Sequence, residues 1–434
     1  MDLSQYYNKN SGGEYAFTVE APKIKFGVGC LREIGPEAKL FGMSRVALFT
    51  DPRVAKLESV AIARESLIKA GVDVVVYDEV EVEPTDESFK AGARFAQDGN
   101  FDGFVSVGGG SVMDTCKASN LYASYPPDSF LAYVNAPIGE ARPVPGPVKP
   151  HIACPTTFGT GSECTGLAIF DFLEMEAKTA VAYSQIRPTL GMVDPASIQT
   201  LPAGVIASNG FDVFSHAVES LTARPYNSRP APPSPDKRPI AQGANPYSDI
   251  GCLEAIRLIG ANLVGAVHSQ DDIKALEALS FAGLLAGIGF GSAGCTIPHG
   301  MSYAVSGLVK EFKAEGWPDQ PLVPHGISVI VNSPSVFRFT GPACPERHLA
   351  AAQALGADIE GVNKEAGDIL ADRVIEMMRA TGVPNGIGGV GYTEADIPQL
   401  TEKSWPQRRV LDNAPVELTK DQLADLFRGA MSYW

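Results

Sequence analysis

Four side chains in the C-terminal half of this 434-residue chain have the types and spacing to hold a divalent ion. Asp212 and His216 stand four apart in GFDVFSHAVESL. The stretch has helical apolar spacing, so both fall on one face, a turn apart. A pair at this spacing also serves as an ordinary i,i+4 interaction. His299 in IPHGMSYAVSG and His325 in VPHGISVIV share a second pattern, each between a proline and a glycine at the start of an apolar helical run. Either one taken singly reads equally well as a hydrogen-bonded core histidine. Three imidazoles and a carboxylate in apolar helices of one region make a ligand set suited to Fe(II) or Zn(II). A divalent ion there could lower the pKa of a substrate hydroxyl and stabilise the alkoxide from which hydride leaves. A nicotinamide would accept that hydride. The other histidines, His151, His268 and His348, lie in polar or strand contexts and read as structural or surface residues.

A second set of residues suits a dinucleotide. Val105-Ser106-Val107 runs into Gly108-Gly109-Gly110-Ser111, a strand followed by a glycine turn and a helix starting near Ser111. Glycines let backbone approach a pyrophosphate, and the amides of a helix start bind it. A plain tight turn fits the same residues. Asp51 ends an earlier strand, where its carboxylate could meet ribose hydroxyls or cap the helix that follows. PTTFGTGSECT (155–165) offers Thr156, Thr157, Thr160, Ser162 and Thr165 with two glycines, also after a strand. Hydroxyls at that density suit ribose and phosphate, although surface loops are commonly rich in Ser, Thr and Gly.

The elements that must carry these groups differ between the two parts of the chain. RVALFTD (45–51), DVVVYDEV (73–80), FDGFVSVGGG (101–110) and HIACPTT (151–157) read as strands. Between them SVAIARESLIKAG and ESFKAGARFAQDG have helical spacing and close on glycine. Strand–helix alternation implies βαβ units and a parallel sheet covered on both faces. After Pro195 long helical patterns take over, such as YSDIGCLEAIRLIGANLVGAV and DIKALEALSFAGLLAGIG. The expected division is an α/β dinucleotide-binding domain over 1–195 and an all-α metal- and substrate-binding domain over 196–434. Prolines at 225, 230, 232, 233, 235, 239 and 246 exclude a helix interior or a central strand from 224–246. That segment is an ordered excursion or a mobile loop, and it carries Arg224, Arg229, Lys237 and Arg238.

Composition narrows the partners. Thirty-five basic against 50 acidic residues give −15, which argues against nucleic acid because phosphate binding needs a basic face. An anionic substrate would need a local basic pocket. The cysteines at 30, 116, 154, 164, 252, 295 and 344 form no CxxC pair, and read as reduced, mostly buried thiols. The opening MDLSQYYNKNSGGEYAF has neither an apolar core nor arginine, so no secretory or transit segment is expected and the location expected is cytoplasmic. The uncharged run from Leu279 up to Lys310 is broken by Gly, Ser and Pro, which favours a packed interior helix over a membrane span.

Together the motifs resemble the iron-containing (group III) alcohol dehydrogenases. GGGSVMDTCKA is similar to that family's GGGSxxDxAK signature and PTTFGTGSECT to its PTTxGTGSExT loop. GFDVFSHAVESL, HGMSY and PHG match the regions supplying its metal ligands, which implies that role for Asp212, His216, His299 and His325. The resemblance implies a Rossmann-like α/β domain followed by a helical one, with NAD as cofactor. Asp114 and Lys178 join the expected cofactor-binding residues. YAFTVEAPKIKFG, EVEPTDESFKAG, the 224–246 insertion and PERHLAAAQALGAD resemble the hydroxyacid–oxoacid transhydrogenase branch. That likeness implies oxidation of 4-hydroxybutyrate to succinate semialdehyde with reduction of 2-oxoglutarate to D-2-hydroxyglutarate through retained NAD. Many family members have HxxxH where this chain has His299 and Tyr303. Tyr303 can donate a hydrogen bond but is a poor base near neutrality. Arg224, Arg229 and Arg238 are candidates for the substrate carboxylate, with solvated surface charge as the competing reading. The partners expected are small hydroxy and oxo acids, with no membrane and a homodimer as a candidate assembly. The competing functions are a conventional NAD-dependent dehydrogenase of a short ω-hydroxy acid or alcohol, a lyase of the dehydroquinate synthase kind, and a non-catalytic binding module.

Overall fold

The computed structural model describes Tyr6, residues 12–175 and residues 177–434. Residues 1–5 and 7–11, read above for targeting character, lie outside it. The chain divides into two compact units, Glu20–Thr200 and Met1–Val19 with Leu201–Trp434.

The first unit is built on a six-stranded parallel sheet in the order β1-β8-β5-β4-β2-β3. Its strands are β1 (Lys23–Phe26), β2 (Arg45–Phe49), β3 (Asp73–Tyr77), β4 (Gly103–Gly108), β5 (His151–Pro155) and β8 (Leu190–Val193). Helices α1 (Ile34–Leu40), α2 (Glu58–Lys69), α3 (Asp86–Asp98) and α4 (Gly110–Ser124) connect them. Every residue of β4 and β5 is buried, as expected for central strands of a parallel sheet covered on both faces. The register pairs Phe104 with His151 and Gly108 with Pro155. The two strands therefore end side by side, and the loops leaving them emerge together. A hairpin of β6 (Leu167–Phe172) and β7 (Ala177–Ala182) was not foreseen, although LAIFDF alternates between buried and half-buried positions, as a strand with one buried face does.

The second unit is helical. Its α5 (Ala203–Thr222) is buried from Val205 to Thr222, the burial expected of a central helix. Helices α6 (Pro246–His268) and α7 (Ile273–Ala293) pack on it and on each other. By length and composition both could cross a membrane; here they form the body of the helical unit. Asn245 starts α6 with a capping box: its side chain accepts from the Ser248 amide at 2.9 Å. Then follow α8 (Ile297–Gly307), α9 (His325–Ile330), and six further helices to Gly429.

The expected boundary needs correction at both ends. The α/β unit runs on to Thr200, because β8 pairs with β1 and β5 and Asp194 caps the Pro195–Ile198 turn behind it. The N-terminal stretch belongs instead to the helical unit. Glu14 N–H donates to the Arg229 carbonyl at 2.7 Å, Gln242 bonds both backbone and side chain of Thr18, and the Tyr6 hydroxyl donates to Asp249. Single long-range bonds of this kind leave no period for a sequence reading to detect. The 224–246 excursion is built in by the same contacts, with one-turn helices at Tyr226–Ser228 and Pro235–Lys237 and bridges Gly13–Pro230 and Pro225–Ala244.

Candidate metal centre and nucleotide-binding loops

Helix α5 presents Asp212 and His216, α8 adds His299 from its first turn, and α9 adds His325 from its first residue. Nε2 of each histidine lies 3.7 Å from Oδ1 of Asp212, and the four ligand atoms fall within 4.8 Å of one another. That separation is too long for a hydrogen bond. It approaches the roughly 3.4 Å between donors that share one tetrahedral ion through bonds of about 2.1 Å.

The local sequences explain the convergence. Pro324 precedes the first residue of α9 and Pro298 lies in the first turn of α8, positions where proline's fixed φ and missing N–H are tolerated. Gly326 follows the ligand because a Cβ there would sit 1.9 Å from the Ser208 carbonyl and 3.0 Å from Asp212 Cβ. Only glycine lets α9 lie this close to α5. Phe290 of α7 stacks on His216 at 4.0 Å with an interplanar angle of 9°, fixing the ring from behind.

One contributor was missed in the sequence. Glu219, two turns after Asp212 on α5, accepts from Nδ1 of His299 at 2.7 Å and from the Thr296 amide at 2.6 Å. The bond to Nδ1–H leaves the lone pair of His299 on Nε2, the atom aimed at Asp212. Carboxylates seven residues apart in a helix share a face, and that spacing was the only signal available. Burial pushes the Asp212 carboxyl up, but the charges of His216 and His325 outweigh it and hold the group below its usual range. Burial lowers His299, yet Cys295 and Glu219 hold it well above its ordinary value. The pocket thus favours positive charge.

The residues fit a bound cation. Oδ1 of Asp212 and Nε2 of His299 are buried without a hydrogen-bond partner, a state that costs about 1–3 kcal/mol per group when left unmade. A divalent ion accepted by both removes that cost, and imidazole with carboxylate is a donor set such ions take. His151, His268 and His348 find other partners, in Ser106, the Ala380 carbonyl and Thr340.

In the α/β unit the two loops read as nucleotide-binding form one surface. The Thr156 amide donates to the Gly108 carbonyl at 3.0 Å. A Cβ on Gly110 would meet Thr160 at 2.7 Å, and one on Gly109 would touch Thr157. Gly109, Gly110, Ser111, Thr157 and Thr160 are partly exposed at this junction, where α4 begins with its free amides. Other expected cofactor residues lie beneath or behind this surface. Thr156 and Thr165 are buried beneath the surface. Ser162 and Asp114 clamp the loops from inside: Ser162 Oγ donates to Asp114 Oδ1 at 2.5 Å, and the wholly buried Lys117 donates to Ser162 Oγ at 2.5 Å and to the Leu167 carbonyl at 2.7 Å. Lys178 pairs with Glu83 at 2.8 Å and Asp171 at 3.1 Å, because a buried ammonium needs carboxylate partners, and the Glu83 amide in turn donates to Ser111 Oγ at 3.2 Å. Asp51 takes its capping alternative, its Oδ1 accepting the amides of Arg53 and Val54.

The arginines of the excursion also separate. Arg238 is committed to Glu14 through bonds of 3.0 and 3.2 Å and so leaves the set expected to meet a substrate. Arg224 and Arg229 line a pocket in the helical unit. Tyr303 lies half-buried one turn after His299 on α8.

Comparison with known proteins adds to this geometry. Residues 21–195 match the family model for iron-containing alcohol dehydrogenase, and residues 240–431 match the C-terminal model of the Fe-containing alcohol dehydrogenase family. The chain is 47% identical to the mitochondrial hydroxyacid-oxoacid transhydrogenase of Homo sapiens, covering 97% of this chain and 91% of that one. It is 43% identical to the probable mitochondrial enzyme of that name from Dictyostelium discoideum, covering 99% and 81%. Among solved structures, a 1,3-propanediol oxidoreductase superposes with a TM-score of 0.83 at 27% identity, over 96% of this chain and 100% of the other. An alcohol dehydrogenase from Oenococcus oeni also reaches 0.83, at 26% identity and the same coverage. The cytoplasmic expectation is overturned by these relatives, which are mitochondrial. Reduced cysteines describe a reducing compartment and do not choose among such compartments. The chain belongs to the iron-containing alcohol dehydrogenase family, which implies use of iron and NAD(H) and makes it an oxidoreductase acting on CH–OH donors.

Proposed function

We propose that this protein is a hydroxyacid–oxoacid transhydrogenase that oxidises 4-hydroxybutyrate to succinate semialdehyde and reduces 2-oxoglutarate to 2-hydroxyglutarate, with NAD retained between the two half-reactions. The carrying observation is the convergence of Asp212, His216, His299 and His325 in a chain 47% identical to relatives of that name. In this reading the hydroxy acid loses a hydride to NAD⁺ and a proton from its hydroxyl. The oxo acid regains both, so no net NADH is formed.

Asp212 and the three histidines hold the ion, which we assign as Fe(II), with Zn(II) as the alternative the same donors accept. When bound it supplies a Lewis acid that lowers the pKa of a substrate hydroxyl. Glu219 keeps His299 in the ligating tautomer. Gly109, Gly110, Ser111, Thr157 and Thr160 form the surface for the cofactor's phosphates. Tyr303 donates a hydrogen bond near the reacting groups but relays no proton as a base, which suits a reaction whose proton passes on to the second substrate. A Tyr303→Phe variant with unchanged turnover would remove the hydrogen bond from the reaction, and one with a shifted pH profile would make Tyr303 a proton relay after all.

The test is acid-quench release of NAD(H) from the purified protein, followed by 4-hydroxybutyrate and 2-oxoglutarate with no added nucleotide. Bound NAD and appearance of 2-hydroxyglutarate support the transhydrogenase. A protein that turns over only with added NAD is a conventional dehydrogenase.

A further inference from the structure

The excursion after α5 folds back through the Tyr226–Ser228 turn, so that Arg224 and Arg229 line one pocket of about 300 Å³ with Glu14, Lys237, Arg238 and Gln242. The wall's described carboxylate is already used. Glu14 accepts two bonds from Arg238 and the amides of Tyr15 and Ala16, which hold it below the usual carboxylate range against the effect of burial. Arg229 donates from Nη2 to Asn413 Oδ1 at 2.9 Å. Burial, and then repulsion from Arg224, push its pKa down to about 10 against the weaker attraction of Asp412. Nε of Arg224 and Nε of Arg229 are both buried without a hydrogen-bond partner. Among the described residues neither guanidinium forms an ion pair.

Two like charges beside each other and two unmade buried N–H groups are each unfavourable. One missing partner would correct both defects: an anion with several acceptor oxygens, which a guanidinium fork binds in bidentate fashion. We propose that Arg224 and Arg229 form a binding pocket for a small carboxylate-bearing anion, with room for a five-carbon dicarboxylate. The pocket is wired to the candidate metal centre. Asn413, which holds Arg229, also donates from Nδ2 to the carbonyls of Ala293 and Cys295 at 3.0 Å each. Cys295 in turn lies in one cluster with Glu219 and His299. Filling the pocket therefore bears on the segment leading into α8 and its ligand. That the anion is a hydroxy or oxo acid rests on the function proposed above; the anion site itself does not.

The test uses glutarate, a dicarboxylate with no hydroxyl or keto group to react, titrated calorimetrically into the metal-loaded enzyme beside 1,5-pentanediol as the neutral control. Glutarate binds and the diol does not; Arg224→Gln and Arg229→Gln each weaken glutarate by about tenfold or more, and the surface variant Arg257→Gln binds like wild type. Arg224 makes no side-chain hydrogen bond among the described residues, so Arg224→Gln removes charge without breaking one. Without anion that variant melts at or above the wild-type temperature, and glutarate raises the melting temperature of the wild type and of Arg257→Gln by more than that of Arg224→Gln. Absence of glutarate binding, or equal binding by wild type and Arg224→Gln, overturns the pocket.

Kinetics then separate the two sources of such an anion. If the pocket holds the reacting substrate, glutarate competes with 4-hydroxybutyrate and the variants raise KM for 4-hydroxybutyrate by a larger factor than KM for 1,4-butanediol. If it holds a second molecule, inhibition or activation is non-competitive and extends to the diol. Arginine-dependent glutarate binding in an enzyme inactive on hydroxy acids would retain the pocket and reject the transhydrogenase.

Discussion

Glu219 holds Nδ1 of His299 at 2.7 Å while its other oxygen holds the Thr296 amide at the start of the same helix. One carboxylate on α5 thus sets both the tautomer of a ligand and the place where that ligand's helix begins.

Glu219→Ala is expected to lower metal affinity by about ten- to a hundredfold, with Glu219→Gln intermediate because its amide can accept from Nδ1–H but not from both donors. Competition with a chromogenic chelator measures this directly. Wild-type affinity in the alanine variant would show that the bond to His299 is incidental.

Gly326→Ala pushes α9 away from α5 and carries His325 with it. Substoichiometric metal by plasma emission is expected, with a stability loss of about 1–3 kcal/mol from overpacking. Activity should fall by about a hundredfold or more, as for a misplaced group. Full metal content with unchanged melting would mean that α9 can shift without cost.

Lys117→Met removes the buried cation that ties α4 to the 155–165 loop and leaves Asp114 without its charge partner. A loss of about 3–5 kcal/mol is expected, together with weaker retention of NAD after gel filtration. Metal content should not change. Loss of metal with NAD retained would contradict this assignment of the clamp.

The buried His151 ring bonds Ser106 at 2.8 Å, and burial, with the charge of Lys117, pushes its pKa down to about 3. A histidine whose pKa is lower in the folded state takes up a proton on unfolding. Its contribution is therefore complete above about pH 6.5 and is lost as pH falls toward about 3. His151→Gln should flatten the acid limb of urea stability between pH 6 and 4 by up to about 1.4 kcal/mol per pH unit. Parallel limbs in the two proteins would place the acid sensitivity elsewhere.

Much of this protein is legible in the sequence because its elements carry their own periods. The strands around 45, 73, 103 and 151, the glycine turn at 108–110 and the long helices after Leu201 are local patterns, set by neighbours a few residues away. The Asp212–His216 pair is local too, and the two Pro-His-Gly sites announce helix starts. Long-range partners decided the rest. Whether a polar residue faces a ligand or a buried counter-charge depends on what chain returns to meet it, and no spacing records that. Tertiary structure therefore moved Lys178 to Glu83 and Asp171, Asp114 and Ser162 to Lys117, Arg238 to Glu14, and residues before Glu20 to the helical unit. It also placed Glu219 behind His299 and brought three histidines from three helices to within 3.7 Å of one carboxylate oxygen, a convergence that the packing of α5, α8 and α9 alone could make.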